Sequence, residues 1–103
     1  MAVDSMVSGG CIISGALICH SLLFSNVTVD NHTKVDSSVI LPNVTIGKNC
    51  RIYHAIIDKD CIIPDDTVIG VNEEDDKKRF HVSPNGVVLV TPEMMGQVVH
   101  YVR

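Results

Sequence analysis

The chain has 103 residues and a formal net charge of −4; 46% of its residues are hydrophobic, but only 4% are aromatic and none is Trp. This length fits one compact domain with a modest core and excludes a second domain of ordinary size. The acidic balance argues against a nucleic-acid binder, which needs a basic face, and no apolar run reaches the ~18 residues of a bilayer span.

The opening, MAVDSMVSGG, lacks the charged and long apolar regions of a secretory signal. Met6 to Cys11 reads as part of a preceding coil, so the repeat begins abruptly and the segment is expected to be a piece of a longer protein. From Ile12 onward a period of 17 is legible in IISGALICHSLLFSNVT (12–28), VDNHTKVDSSVILPNVT (29–45) and IGKNCRIYHAIIDKDCI (46–62), with a partial fourth unit from Ile63. Ile12, Val29, Ile46 and Ile63 form one aliphatic column, Ile18, Val35, Ile52 and Ile69 a second, and Leu23, Ile40 and Ile57 a third. Small or thiol side chains repeat at Ala16, Thr33, Cys50 and Thr67. Asn26, Asn43 and Asp60 share a position where a turn residue tolerates a left-handed backbone. That repeat explains Asn26 and Asn43 without invoking the sequons at Asn26, Asn31 and Asn43, which have meaning only in a secreted protein.

Aliphatic residues return after steps of six, five and six, matching neither a helix nor a simply alternating strand. Such steps describe three short strands joined by corners, with successive coils stacking about 4.8 Å apart. The expected fold is all-β, a left-handed parallel β-helix of hexapeptide repeats with about 3.5 to 4 coils, followed by a short C-terminal strand and helix. Its handedness follows from the hexapeptide pattern.

The β-helix is assigned to residues 1–70, and residues 71–103 to a cap made of an acidic-then-basic loop, a strand and a short helix. NEEDDKKR, after Val71, reads as a solvated loop, Asn85-Gly86 as a turn and Val87 to Val90 as a strand. Thr91 is a candidate N-cap, with Pro92 at the first helical position and Glu93 near the positive end of the dipole of a helix running to about His100. The four cysteines show no CxxC pair and no zinc-like spacing, which fits a reduced, cytoplasmic setting.

VSGGCIISG, the LLFSNVTV run, DSSVILPNVTIGKNCRI, AIIDKDCIIPDDTVIG and GVVLVTPEMM together resemble the carboxy-terminal end of bacterial glucose-1-phosphate adenylyltransferases (ADP-glucose pyrophosphorylases). The resemblance implies a parent enzyme that joins ATP and glucose 1-phosphate into ADP-glucose and diphosphate for glycogen synthesis, using Mg2+ with ATP. It also implies a regulatory and oligomerisation domain that packs on its own N-terminal catalytic domain, helps build a homotetramer and takes part in binding a phosphorylated metabolite effector. Neither nucleic acid nor membrane is an implied partner. The Gly-rich nucleotide loop of the family, followed by an Arg, has no counterpart here, so the segment alone is expected to hold no catalytic residue, cofactor or metal.

Lys59 fills the position at which the family carries an effector-contacting basic residue. Lys binds phosphate as a point charge, and the flanking Asp58 and Asp60 oppose that role. The alternative is a solvated surface Lys. Lys34 and Arg51 are weaker candidates: they share a column, about one strand spacing apart, where two cations repel unless an anion lies between them.

His20 and His54 are two coils, about 9.6 Å, apart, too far to share a zinc ion bonded at ~2.0–2.1 Å, and His32 lies in another column. His54 is the candidate general base for a rival reading as a hexapeptide acyltransferase, although no protruding loop encloses an acyl donor. A purely structural β-helix is the third reading. Cys50 and Cys61 read as small core hydrophobes, and Cys19 as partly exposed without an activating neighbour.

Overall fold

In a computed structural model that describes residues 2–93, the chain winds into a three-sided parallel β-solenoid of about four turns. Sheet 1 contains Ala2–Val3, Leu17–Cys19, Lys34–Asp36, Arg51–Tyr53 and Val68–Ile69, in that spatial order. Sheet 2 runs from Met6–Val7 through Leu22–Leu23, Val39–Ile40 and Ala55–Ile57 to Val88–Val90 and His81–Val82. Sheet 3 contains Ile12–Ile13, Thr28–Val29, Thr45–Ile46 and Ile62–Ile63. Each coil contributes one strand to each sheet, so the ladders between coils join residues 16 or 17 apart.

Strands this short form because β-branched residues alternate inward and outward, and a left-handed residue ends each one. Asn26, Asn43 and Asp60 hold φ of 60°, 64° and 61° at the corner between sheets 2 and 3. The corner between sheets 1 and 2 uses His20, Ser37 and His54, and the remaining corner uses His32, Asn49 and Asp66 in the same backbone region.

The core is a stack of columns. Ile18, Val35, Ile52 and Ile69 are fully buried on sheet 1, and Leu23, Ile40, Ile57 and Val90 on sheet 2. Each such side chain contributes roughly 1.5–3 kcal/mol of hydrophobic stabilisation.

Sheet 3 departs from the expected column at its first member. Ile13, not Ile12, stands in register with Val29, and Ile12 is 59% exposed. The corner after Ile13 is one residue shorter than the corner after Val29, so the offset is 16 before it and 17 from Leu17 onward. Gly15 permits this tight corner, with φ of +61° and Asn31 Oδ1 2.6 Å from where a Cβ would sit.

A serine column lines the corner between sheets 1 and 2. The Ser38 N–H donates to Ser21 Oγ at 3.1 Å, and the Ala55 N–H to Ser38 Oγ at 3.2 Å. Ser21 and Ser38 hydroxyls donate to the carbonyls of Cys19 and Asp36 at 2.7 and 2.8 Å. These inward hydroxyls satisfy backbone groups that the corner turns away from the sheet ladders.

Beyond Gly70 the chain forms α1, Glu73–Arg79, where a solvated loop is expected from sequence. The Asn72 side chain caps it by accepting from Asp75 N, four acidic residues occupy its first turn, and Lys77, Lys78 and Arg79 its last. Asp76 ties the helix down: it is 2% exposed, and its Oδ2 accepts the Gly70 N–H at 2.9 Å. Arg79 Nη2 donates to the Val68 carbonyl at 2.6 Å and lies 3.3 Å from Asp76 Oδ1. Gly70 has φ of +85°, and an added Cβ would collide with the Tyr53 carbonyl.

A turn through Pro84 to Gly86 then joins His81–Val82, which the sequence did not announce, antiparallel to Val88–Val90. Val88–Val90 pairs in parallel with Ala55–Ile57, taking the place on sheet 2 that a further coil would fill. The helix expected from Pro92 to His100 lies outside the described residues after its first two positions, which form a turn.

Candidate functional site

Lys59 sits on the corner between sheets 2 and 3, where its N–H donates to Asp58 Oδ1 at 2.8 Å and Asp60 follows in the left-handed region. Lys59 is exposed at this corner. Its ammonium makes none of the ion pairs found among the described residues. The corner thus offers one free cation between two carboxylates, a site that attracts an anion only with help from further positive charge.

Lys34 and Arg51 are register partners on the outer face of sheet 1, as the repeat predicts. Lys34 Nζ lies 5.7 Å from the centroid of the Tyr53 ring, so part of its charge is engaged by that ring. Sheet 1 lies across the prism from the Lys59 corner, so the three candidate cations do not form one cluster.

His20 has a setting that the sequence reading missed. Its Nε2 lies 3.6 Å from Asp4 Oδ2 and its Nδ1 3.8 Å from Asp36 Oδ1, bringing three coils together on one corner. The signal was available as Asp4, His20 and Asp36, each about one coil from the next. His54 occupies the single-residue corner between Arg51–Tyr53 and Ala55–Ile57, and its carbonyl accepts the Val88 N–H at 2.9 Å.

Among the described residues no three His, Cys, Asp or Glu side chains gather to hold a metal ion. No helix among the described residues is long and apolar enough to cross a membrane. Cys50 and Cys61 are fully buried in the core. Burial pushes the Cys50 thiol up, and it pushes Cys61 up to about 11, with Asp58 and Glu93 adding repulsion. Cys50 Sγ donates to the Pro64 carbonyl at 3.1 Å. These are packing thiols, not nucleophiles.

The stacked coils find their match in known proteins. Residues 1–90 match the family described as GlmU-like, C-terminal hexapeptide. The chain belongs to that hexapeptide family. It is 68% identical over 103 residues to a glucose-1-phosphate adenylyltransferase of Nitrosococcus oceani, covering 100% of this chain and 24% of that protein. A protein of the same name from Methylococcus capsulatus is 66% identical over 103 residues, again 24% of its length. One from Nitrosospira multiformis is 56% identical over 102 residues, 99% of this chain and 24% of the relative. The hexapeptide segment thus spans about a quarter of the length of the curated relatives it matches and aligns with their C-terminal regions.

Proposed function

We propose that this chain is the C-terminal regulatory and oligomerisation part of a cytoplasmic glucose-1-phosphate adenylyltransferase, which converts ATP and α-D-glucose 1-phosphate into ADP-glucose and diphosphate for glycogen synthesis. The observation that carries the reading is 68% identity running the whole length of this chain to a protein of that name.

Nucleotidyl transfer requires a cradle of backbone N–H groups for phosphate. Ser8-Gly9-Gly10 is not such a cradle, because it lies within a coil after the strand Met6–Val7, with no helix following it. Substrates, and Mg2+ with ATP, are accordingly assigned to the remainder of the enzyme, and this segment to control and assembly.

Lys59 is the residue to which effector binding is assigned. Exposed and without an ion pair among the described residues, it is available to a phosphorylated metabolite, and neighbouring cations from the catalytic domain would offset Asp58 and Asp60. Lys34 and Arg51 are the weaker candidates because Lys34 already lies over Tyr53.

The test is Lys59→Ala in the full-length enzyme, titrated with phosphorylated sugars while ADP-glucose formation is followed. A charge-assisted hydrogen bond is worth about 1.5–3 kcal/mol, so half-activation should require at least about tenfold more activator. That shift should exceed any change in turnover without activator. An unchanged activation curve would return Lys59 to the class of solvated surface lysines.

A further inference from the structure

Sheet 1 ends on side chains. Leu17, Lys34 and Arg51 are register partners along it, and each donates its N–H to a carbonyl of the next coil, that of Thr33, Cys50 or Thr67, at 3.0, 2.9 and 2.9 Å. Val68 is the next member of that column, so its own N–H and carbonyl turn toward the place of a further strand. Gly70, two residues on, faces the same way. Among the described residues no strand follows Val68–Ile69 on this sheet.

Side chains of α1 stand where that strand would lie. Arg79 Nη2 donates to the Val68 carbonyl at 2.6 Å, in place of a backbone N–H, and Asp76 Oδ2 accepts the Gly70 N–H at 2.9 Å, in place of a backbone carbonyl. Arg79 is held in position by Asp75 Oδ2 at 3.1 Å, by Asp76 Oδ1 at 3.3 Å and by the Phe80 ring, whose centroid lies 4.7 Å from the guanidinium carbon. A helix of seven residues is too short to persist alone in water. α1 is therefore helical only while seated on the last coil, and Asp76 and Arg79 are what seat it.

We infer that α1 is a stop, which occupies the terminal edge of sheet 1 and keeps a second copy of this chain from adding to the solenoid there. An uncovered edge strand is a template for another strand whatever its sequence. Every copy carries the same edge, and two like edges pair antiparallel about a two-fold axis. Val68, 37% exposed, and Val71, 57% exposed, would add apolar contact to such a pair. Sheet 2 is closed in another way: its last strand, His81–Val82, is folded back antiparallel and leads into Pro84, which has no N–H to offer.

The test introduces Arg79→Ala and Asp76→Ala separately into the full-length enzyme and follows particle mass by sedimentation over a range of concentrations. Both variants should reach at least about twice the mass of the unaltered enzyme as concentration rises, because edge pairing joins two particles. Lys77→Ala is the control, since Lys77 pairs with Glu73 and bonds to no edge group, and its mass should not change. Adding Val68→Lys to Arg79→Ala sets two like charges against each other across the paired edges and should restore the unaltered mass. The inference is overturned if the single variants keep the unaltered mass, if the larger species persists with Val68→Lys, or if it contains a different protein. Loss of the β-sheet circular dichroism signal in both single variants would also overturn it, because α1 would then be a condition of folding and not a stop. Particle mass is read without substrate or effector, so the outcome does not depend on the proposed function.

Discussion

Replacing Ser38 with Ala removes one oxygen from the interior and isolates the contribution of the corner column. Ser38 is 2% exposed, and its Oγ is the acceptor found for the Ala55 N–H, at 3.2 Å. The hydroxyl also donates to the Asp36 carbonyl, but that oxygen retains the His54 N–H at 3.2 Å. The variant therefore orphans one buried donor and leaves the acceptor satisfied. A buried polar group left without a partner costs about 1–3 kcal/mol, and roughly 2 kcal/mol is expected here because Ala55, whose N–H is orphaned, is itself buried. For a chain of this size the melting temperature should fall by about 8–16 °C. With a urea slope of about 1–1.5 kcal/mol/M, the midpoint should drop by about 1.5 M. Ser25→Ala, at an exposed position, is the control and should stay within about 0.5 kcal/mol. Equal unfolding midpoints for the two variants would refute the column as a source of stability.

Cys61 gives the solenoid an alkaline limit. Its thiol is held at about 11 in the folded chain against 9.0 unperturbed, so stability is fully present below pH 9 and is lost as the pH rises from 9 towards 11. The loss amounts to about 2–3 kcal/mol. Cys61→Val, which matches Val27 and Val44 in the same inward column, should flatten this limb in urea titrations at pH 8 and pH 10.5, and an unaltered limb would contradict the assignment. Gly70→Ala should cost more than about 2 kcal/mol, combining left-handed backbone strain with the clash against the Tyr53 carbonyl. A loss below about 0.5 kcal/mol in urea unfolding would show that the last coil can move away from Tyr53.

The columns were legible because a buried aliphatic residue must recur wherever the coil recurs. Ile18, Val35, Ile52 and Ile69 fall together by spacing alone, and all four are fully buried. Ile12 was misplaced because Ile13 is chemically equivalent to it, and only the shortened corner at Gly15 decides which one points inward. Glu73–Arg79, EEDDKKR, reads as a loop in sequence because it has no apolar stripe. Its capping signals are local, but the carboxylate that fixes it bonds to Gly70 through a contact that spacing does not reveal. The serine column was missed for the opposite reason: Ser21 and Ser38 repeat faithfully, yet a hydroxyl does not read as core until the corner geometry presents an N–H to it. For the candidate site, the register of Lys34 and Arg51 was readable, whereas the ring beneath Lys34 and the two carboxylates around His20 depend on side-chain directions across coils.

The most direct measurement is ADP-glucose formation from ATP and glucose 1-phosphate, with Mg2+ supplied, by the full-length enzyme and by this 103-residue chain under identical conditions. The full-length enzyme should synthesise ADP-glucose and this chain should yield none, because the coils lack a phosphate cradle. Synthesis by the isolated chain, or none by the full-length enzyme, would contradict the assignment of these coils to control and assembly in a nucleotidyltransferase.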